Sequence, residues 1–188
     1  MKVRLFAALI VVAAPPAARA ADEENPFKRV KAGDFAVYKT TTNFGGKDVE
    51  GTVTRTVTAK DDKQAVVKTV ARGSGAAAED KADEEKIDLS KPYDLFKAGL
   101  GPPGTEAKVE KLKEGTEKVK AGGKEYDCRW ETFKVTAKAA GLEVVGEGKV
   151  WQSKELPLNT VKWEFAADVA GMKWNMKLEL AEAGHKSD

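Results

Sequence analysis

Side chains that act as nucleophiles or metal ligands are scarce in this sequence, which contains one histidine and one cysteine. The histidine, His185, follows the last predicted strand, where little could hold an imidazole against a nucleophile. Zinc and copper sites rely on His and Cys ligands, so the same scarcity disfavours both. No G-x-x-x-x-G-K-[ST] motif occurs, and no G-x-G-x-x-G follows a predicted strand. We expect no enzymatic activity, no cofactor and no metal.

Carboxylates are abundant, and a pair of them could support hydrolysis. Asp127 and Glu131 are one candidate pair, but strand alternation places both opposite Cys128 and Trp130, on the predicted solvent face. A second acidic group could bind calcium through its oxygens, but it lacks the spacing of a calcium loop and is interrupted by lysines. It comprises Glu79, Asp80, Asp83, Glu84, Glu85 and Asp88. Solvated surface is the simpler interpretation of both.

Cys128 cannot form an internal disulfide, because the sequence contains no second cysteine. It lies two residues from both Tyr126 and Trp130, on the same face of the predicted strand. We therefore interpret it as a small buried apolar residue. A reactive thiol would need an exposed, cationic setting.

The aromatic residues are the enrichment with the clearest functional potential. All four tryptophans fall between positions 130 and 174. They could form the filled core of a curved sheet, or they could line a cavity for a lipid or another apolar ligand. The candidate lining residues are Trp130, Trp151, Trp163, Phe165, Trp174 and Met176.

These residues lie on segments with the period-two alternation of β-strands. The clearest segments form the final predicted hairpin, in which nine apolar positions alternate with polar ones. These apolar positions are Val161, Trp163, Phe165, Ala167, Met172, Trp174, Met176, Leu178 and Leu180. We therefore predict a mainly β fold: a single antiparallel curved sheet or half-barrel of about 8–10 strands.

The remaining segments are assigned by their composition. We predict a flexible N-terminal segment at 21–32, a single β-rich domain at 33–183 and a C-terminal tail at 184–188. Within the domain, the stretch 72–86 has little to bury and is expected to be a surface loop. One short helix is predicted at 91–98, with Ser90 as its N-cap. A turn is predicted at Gly115, and a bulge or strong twist near Thr132.

The first 20 residues have the pattern of a signal peptide. Lys2 and Arg4 precede a short apolar run, and Ala18-Arg19-Ala20 is a small-x-small site, which predicts cleavage between Ala20 and Ala21. The apolar run is too short to span a bilayer. Position 21 is not cysteine, so no lipid anchor is expected. The predicted location is the periplasm or the extracellular space, and an integral membrane protein is not expected.

The charge balance argues against nucleic acid as a partner. The sequence has 32 basic and 30 acidic residues; removing the leader with Lys2, Arg4 and Arg19 leaves 29 against 30. Nucleic-acid binding needs a concentrated basic surface, which this balance does not predict.

Three segments together resemble small exported bacterial proteins of uncharacterised function. They are Gly33-Asp34-Phe35-Ala36-Val37-Tyr38-Lys39, Gly122-Gly123-Lys124-Glu125-Tyr126-Asp127-Cys128 and Val150-Trp151-Gln152-Ser153-Lys154-Glu155-Leu156-Pro157-Leu158. At the level of fold, the order of curved strands around a short helix is also similar to the LolA/LolB-like lipoprotein carriers, which hold acyl chains in a concave face. The first resemblance implies an exported β protein, and neither assigns a catalytic residue.

Two hypotheses for function remain open. In the first, a non-enzymatic envelope protein binds a lipid or another apolar ligand in the concave face of a β half-barrel. In the second, the core is filled, and the protein is a structural or protein–protein interaction module that contacts another envelope protein.

Overall fold

A computed structural model describes residues 25–73, 81–93, 107–139, 142–169 and 171–186. Within these ranges the chain forms one antiparallel sheet of nine strands, in the order β4-β3-β2-β1-β9-β8-β7-β6-β5. The sheet is curved and does not close, which confirms the predicted fold class. The strands are β1 (Asp34–Phe44), β2 (Lys47–Lys60), β3 (Gln64–Gly73), β4 (Lys81–Asp88), β5 (Ala107–Ala121), β6 (Lys124–Ala139), β7 (Leu142–Gln152), β8 (Thr160–Val169) and β9 (Met172–His185).

The alternation of the last two strands sets the faces of the sheet. Trp163 of β8 pairs with Leu178 of β9, and both side chains are buried. We call the face that carries Trp163 and Phe165 the inner face and the opposite one the outer face. The predicted apolar positions of this hairpin lie on the inner face, with two differences in burial. Met172 is 46% exposed, because it begins β9 at the end of the sheet, and Trp174 is half-buried.

The N-terminal segment packs against the sheet rather than being loose, which corrects the predicted flexibility of 21–32 for its described part. A 3-10 turn, Pro26–Lys28, is capped by the Asn25 side chain, and Phe27 and Val30 are buried. The Asn25 amide also donates to the backbone carbonyls of Asp88 and Lys91, at 3.1 and 2.9 Å. These bonds anchor the segment to the chain that follows β4.

The surface loop predicted at 72–86 is wrong for residues 72–73, which end β3, and for residues 81–86, which belong to β4. This strand pairs with β3, for example Val67 with Glu85 and Ala65 with Ile87. Its charged composition suits an edge strand, where charge discourages pairing with another chain. Residues 74–80 lie outside the described residues, as do the signal peptide and its cleavage site at Ala20 and Ala21.

Two further predictions concern the region between β4 and β6. The helix expected at 91–98 lies mostly outside the described residues, and residues 91–93 are not helical. The turn expected at Gly115 is wrong, because β5 runs through it without interruption. A Cβ at Gly115 would overlap the Trp130 ring, so glycine is needed there for packing rather than for a turn. The predicted irregularity near Thr132 is a register shift in β5, between Lys111 and Lys113.

The C-terminal tail predicted at 184–188 is also partly strand, because β9 continues to His185. Gly184 pairs with Phe35 and His185 with Asp34 of β1. The His185 ring Nδ1 lies 3.0 Å from a carboxylate oxygen of Asp34. This side-chain contact holds the end of β9 against the start of β1.

In the described part of the chain, no helix combines the length and the apolar character needed to cross a membrane.

Candidate functional site

The structure divides the six candidate ligand-lining residues between the two faces of the sheet. Trp163, Phe165 and Met176 are buried on the inner face, and Trp174 is half-buried beside them. The other two, Trp130 and Trp151, are paired neighbours on the outer face. The six side chains therefore do not form one lining.

The inner face is filled with packed rings. The Trp163 and Phe165 ring centres lie 5.9 Å apart in a stacked arrangement, and Trp174 meets Phe165 edge-on at 5.6 Å. The Phe165 and Phe133 rings cover Gly146 and Gly148 of β7, where a Cβ would overlap them. Close packing of this kind leaves little space for a bound molecule.

One buried polar group of this core has no hydrogen-bond partner among the described residues. Trp163 is 1% exposed, and its Nε1 is buried without a hydrogen-bond partner among the described residues. A buried unpaired donor costs about 1–3 kcal/mol relative to a paired one. It is a polar group of the interior that a ligand or a water could satisfy.

On the outer face, a lysine lies between two tryptophans. The Lys149 ammonium is 4.2 Å from the Trp130 ring centre and 4.4 Å from that of Trp151. Glu117 of β5 accepts hydrogen bonds from this ammonium, at 2.9 Å, and from the Trp151 indole N–H. Lys162 lies 4.7 Å from the same Trp151 ring. These contacts hold Lys149 in one position and connect β5 with β7 across β6.

Lys149 is also one of six outer-face residues that form a continuous row across six strands. Each member is directly paired with the next, so with strands about 4.8 Å apart the row is about 24 Å long. In order from β5 to β1 the members are Lys113, Thr132, Lys149, Glu164, Lys177 and Thr41.

An open cleft of about 700 Å³ lies over this row, and all six members line it. A neighbouring row on the same face also lines the cleft, and each of its members pairs with the next from β7 to β1. Its members are Glu147, Ala166, Asn175 and Asn43. We call this the outer cleft. Its lining combines ammonium, carboxylate, amide and hydroxyl groups with apolar surface, and more of the exposed lining is apolar than polar. Leu112 and the inner-face residues Phe133, Phe165 and Met176 are among the apolar lining residues.

The charged groups of the outer cleft are largely paired. Besides Lys149 with Glu117, Lys162 lies 2.7 Å from Glu164, and Lys177 lies 2.6 Å from Glu179. In the described residues, Lys113 and Glu147 have no ion-pair partner. The cleft is therefore close to neutral overall, with one free ammonium and one free carboxylate.

Sequence reasoning placed Glu131 on the solvent face, and this is wrong. Glu131 is 3% exposed and lies 3.0 Å from Lys111 and 3.1 Å from Arg129. Both cations also contact Glu114, at 2.7 and 2.6 Å. In β6 the buried positions are even-numbered up to Cys128 and odd-numbered from Glu131 onwards. Simple alternation counted from Cys128 therefore predicts the wrong environment for Glu131.

A second buried polar cluster lies beneath the N-terminal segment. Arg55 is buried, lies 3.6 Å from Glu85, and has its guanidinium 5.8 Å from the Phe27 ring centre. The Tyr93 hydroxyl donates to Glu85 at 2.9 Å. Burial raises the pKa of Glu85 and raises that of Tyr38 to about 12. Each of these side chains already has a polar partner within the chain, so we assign the cluster a structural role.

Cys128 is buried, and burial with the nearby carboxylates of Glu155, Glu117 and Asp127 raises the pKa of its thiol to about 11. Such a thiol is almost entirely protonated at neutral pH and is a poor nucleophile. In the described part of the chain, no group of three or more His, Cys, Asp or Glu side chains is arranged to hold a metal ion.

Comparison with known proteins gives two similar solved structures. One, from Bacteroides fragilis, is described as a "putative exported protein with YmcC-like fold"; it has 11% identity and a TM-score of 0.48, covering 82% of this chain and 97% of that one. The other is a "putative lipoprotein" from Parabacteroides distasonis, with 9% identity, a TM-score of 0.48, and coverage of 82% and 96%. No protein-family model and no curated protein matches the chain.

Proposed function

We propose that the protein is an exported, non-enzymatic binding module and that the outer cleft is its binding surface. The observation that carries this proposal is the row from Lys113 to Thr41, which lines an open cleft of about 700 Å³ with polar groups from six strands. Binding sites built on strands are more rigid than sites built on loops.

Export is supported by the leader pattern: basic residues, a short apolar run and the Ala18-Arg19-Ala20 site. A non-enzymatic role is supported by the placement of the reactive groups. The Cys128 thiol is buried, and the His185 ring contacts Asp34 where the end of β9 pairs with the start of β1.

An apolar ligand in the interior is the second candidate function, and one observation favours it. The unpaired Nε1 of Trp163 is a donor that a ligand carbonyl could satisfy. Against it, the Trp163, Phe165 and Phe133 rings pack on each other and over the glycines of β7. The interior would have to open before a chain-like ligand could enter.

Native mass spectrometry of the protein purified from its own cells tests the proposal. We expect a polar molecule bound to the parent protein, and loss of that mass from a variant carrying Lys113→Ser and Glu147→Gln. The matched control carries Lys108→Ser and Glu110→Gln, which change the same residue types outside the cleft. A co-purified lipid that the cleft variant retains would favour the interior instead, and would contradict the proposal.

A further inference from the structure

We infer that the occupant of the outer cleft is a polyhydroxylated chain, a polysaccharide strand that lies across the β-strands along the row. This inference rests on the proposed function of the cleft and adds the chemical class of the ligand. It is carried by the charge balance, the remaining hydrogen-bonding capacity and the shape of the cleft.

The charge balance disfavours a polyanion. Two of the three lysines of the row are already paired: Lys149 with Glu117 at 2.9 Å, and Lys177 with Glu179 at 2.6 Å. Polyanion binding draws on unpaired cations that neutralise the ligand and release its counterions. Lys113 is the one row lysine without an ion-pair partner among the described residues, and Glu147 would repel an anion nearby.

The paired groups still have hydrogen-bonding capacity. An ammonium has three donors and a carboxylate about four acceptor sites, so one ion pair leaves most of them available. The amides of Asn175 and Asn43 and the hydroxyls of Thr41 and Thr132 add groups that both donate and accept. A sugar hydroxyl also donates and accepts, so a chain of them matches a lining in which both kinds of group recur.

The lining is held in place before a ligand arrives. Lys149 is fixed between the Trp130 and Trp151 rings, and Glu164 is held by Lys162 at 2.7 Å. Side chains that are already ordered lose less entropy on binding, which favours weakly interacting polar ligands.

The shape of the cleft disfavours a folded peptide. A helix docked in a groove needs apolar anchors at helical spacing, and an added strand needs a free sheet edge. The outer cleft runs across the face of the sheet, and Leu112 is the one large, exposed apolar side chain among its lining residues. An elongated polar chain fits an open trough about 24 Å long, the span of five strand spacings.

The test is a nuclear magnetic resonance titration of the ¹⁵N-labelled protein with four soluble neutral oligosaccharides: maltoheptaose, cellohexaose, chitohexaose and xylohexaose. We expect at least one of them to shift backbone resonances along the cleft, at Thr41, Glu147 and Asn175, with affinity that rises with chain length. Glu147→Gln should weaken that binding about tenfold, the loss expected for one hydrogen bond to a charged group. Glu110→Gln, an exposed glutamate outside the cleft, should leave it unchanged.

The alternative outcomes separate the ligand class from the site. Shifts at the cleft residues with a poly-glutamate peptide, and with none of the four oligosaccharides, would overturn the polysaccharide assignment and leave the cleft as the binding surface. Shifts confined to Trp163 and Trp174 on addition of a fatty acid would overturn both. No shift with any oligosaccharide would overturn the inference, while the mass-spectrometric comparison would still decide the proposed function.

Discussion

The Lys149 ammonium lies 4.2 Å from the centre of the Trp130 ring, on the outer face of the sheet. The same ammonium lies 4.4 Å from the Trp151 ring and 2.9 Å from Glu117 of the edge strand β5. One cation therefore connects three neighbouring strands, and Lys149 is also a lining residue of the outer cleft. The contacts that stabilise the β5–β6 edge of the sheet therefore involve a residue of the proposed binding surface.

Replacing this cation should destabilise the protein although it lies at the surface. We expect Lys149→Met, which keeps much of the aliphatic stem, to lower the free energy of unfolding by about 1–2 kcal/mol, since two cation–π contacts and an ion pair are lost. Urea denaturation at neutral pH measures the change. Lys177→Met, which removes an exposed ion pair with Glu179, should cost at most about 0.5 kcal/mol. Equal losses in the two variants would contradict the role given to the aromatic pair.

The unpaired indole of Trp163 predicts an asymmetry between two tryptophan substitutions. Trp163→Phe removes a buried donor without a partner, so the packing loss is partly offset and the cost should be under about 1.5 kcal/mol. Trp151→Phe removes a donor to Glu117 and should cost more. Thermal or urea unfolding of both variants measures the difference. A larger loss for Trp163→Phe would mean that its Nε1 has a partner in solution.

The pH dependence of stability should have a component from Glu114. Hydrogen bonds from Lys111 and Arg129 lower the pKa of Glu114 from 4.5 to about 2. A depressed pKa means that the carboxylate stabilises the fold above pH 4.5, and that this contribution is lost as the pH falls towards about 2. The decrease in unfolding free energy between about pH 5 and pH 2.5 should therefore be smaller in Glu114→Gln than in the parent.

Glu110→Gln is the matched control, since this exposed glutamate of the same strand has no ion-pair partner among the described residues. Its pH profile should follow that of the parent. Identical profiles for the Glu114→Gln variant and the parent would show that the Lys111 and Arg129 contacts do not persist in solution.

The buried thiol predicts slow chemistry in the folded protein. Because burial and three carboxylates raise the pKa of Cys128 to about 11, a disulfide reagent should label the native protein slowly and the urea-unfolded protein rapidly. Absorbance of the released chromophore follows both reactions. Rapid stoichiometric labelling of the native state, or a disulfide-linked dimer on a non-reducing gel, would show that the thiol is exposed.

Strand alternation was sufficient to predict the sheet wherever one face is uniformly apolar. The β8–β9 hairpin is such a case, since every second residue from Val161 to Ala167 is buried. It was not sufficient for β4, whose charged residues become a strand only through pairing with β3. Nor could it identify Glu131 as buried, because the cations that compensate its charge lie on Lys111 and Arg129.

The outer cleft was beyond sequence reasoning for a related reason. Its row joins Thr41 and Lys113 through four other strands, and that order depends on β9 pairing with β1. The division of the tryptophans between the two faces depends on how neighbouring strands are aligned. Trp130, for example, pairs directly with Trp151, which places both on the outer face.

The proposed function requires an interior that is filled, so that binding takes place outside it. The most direct measurement is a titration of the protein with a fluorescent fatty acid, with Trp163→Ala as the companion variant. We predict no saturable uptake by the parent, and a loss of about 3–5 kcal/mol of stability in the variant, as for an ordinary core tryptophan. Saturable uptake of one fatty acid per chain, abolished by Trp163→Ala with little loss of stability, would contradict the claim and place the ligand in the interior.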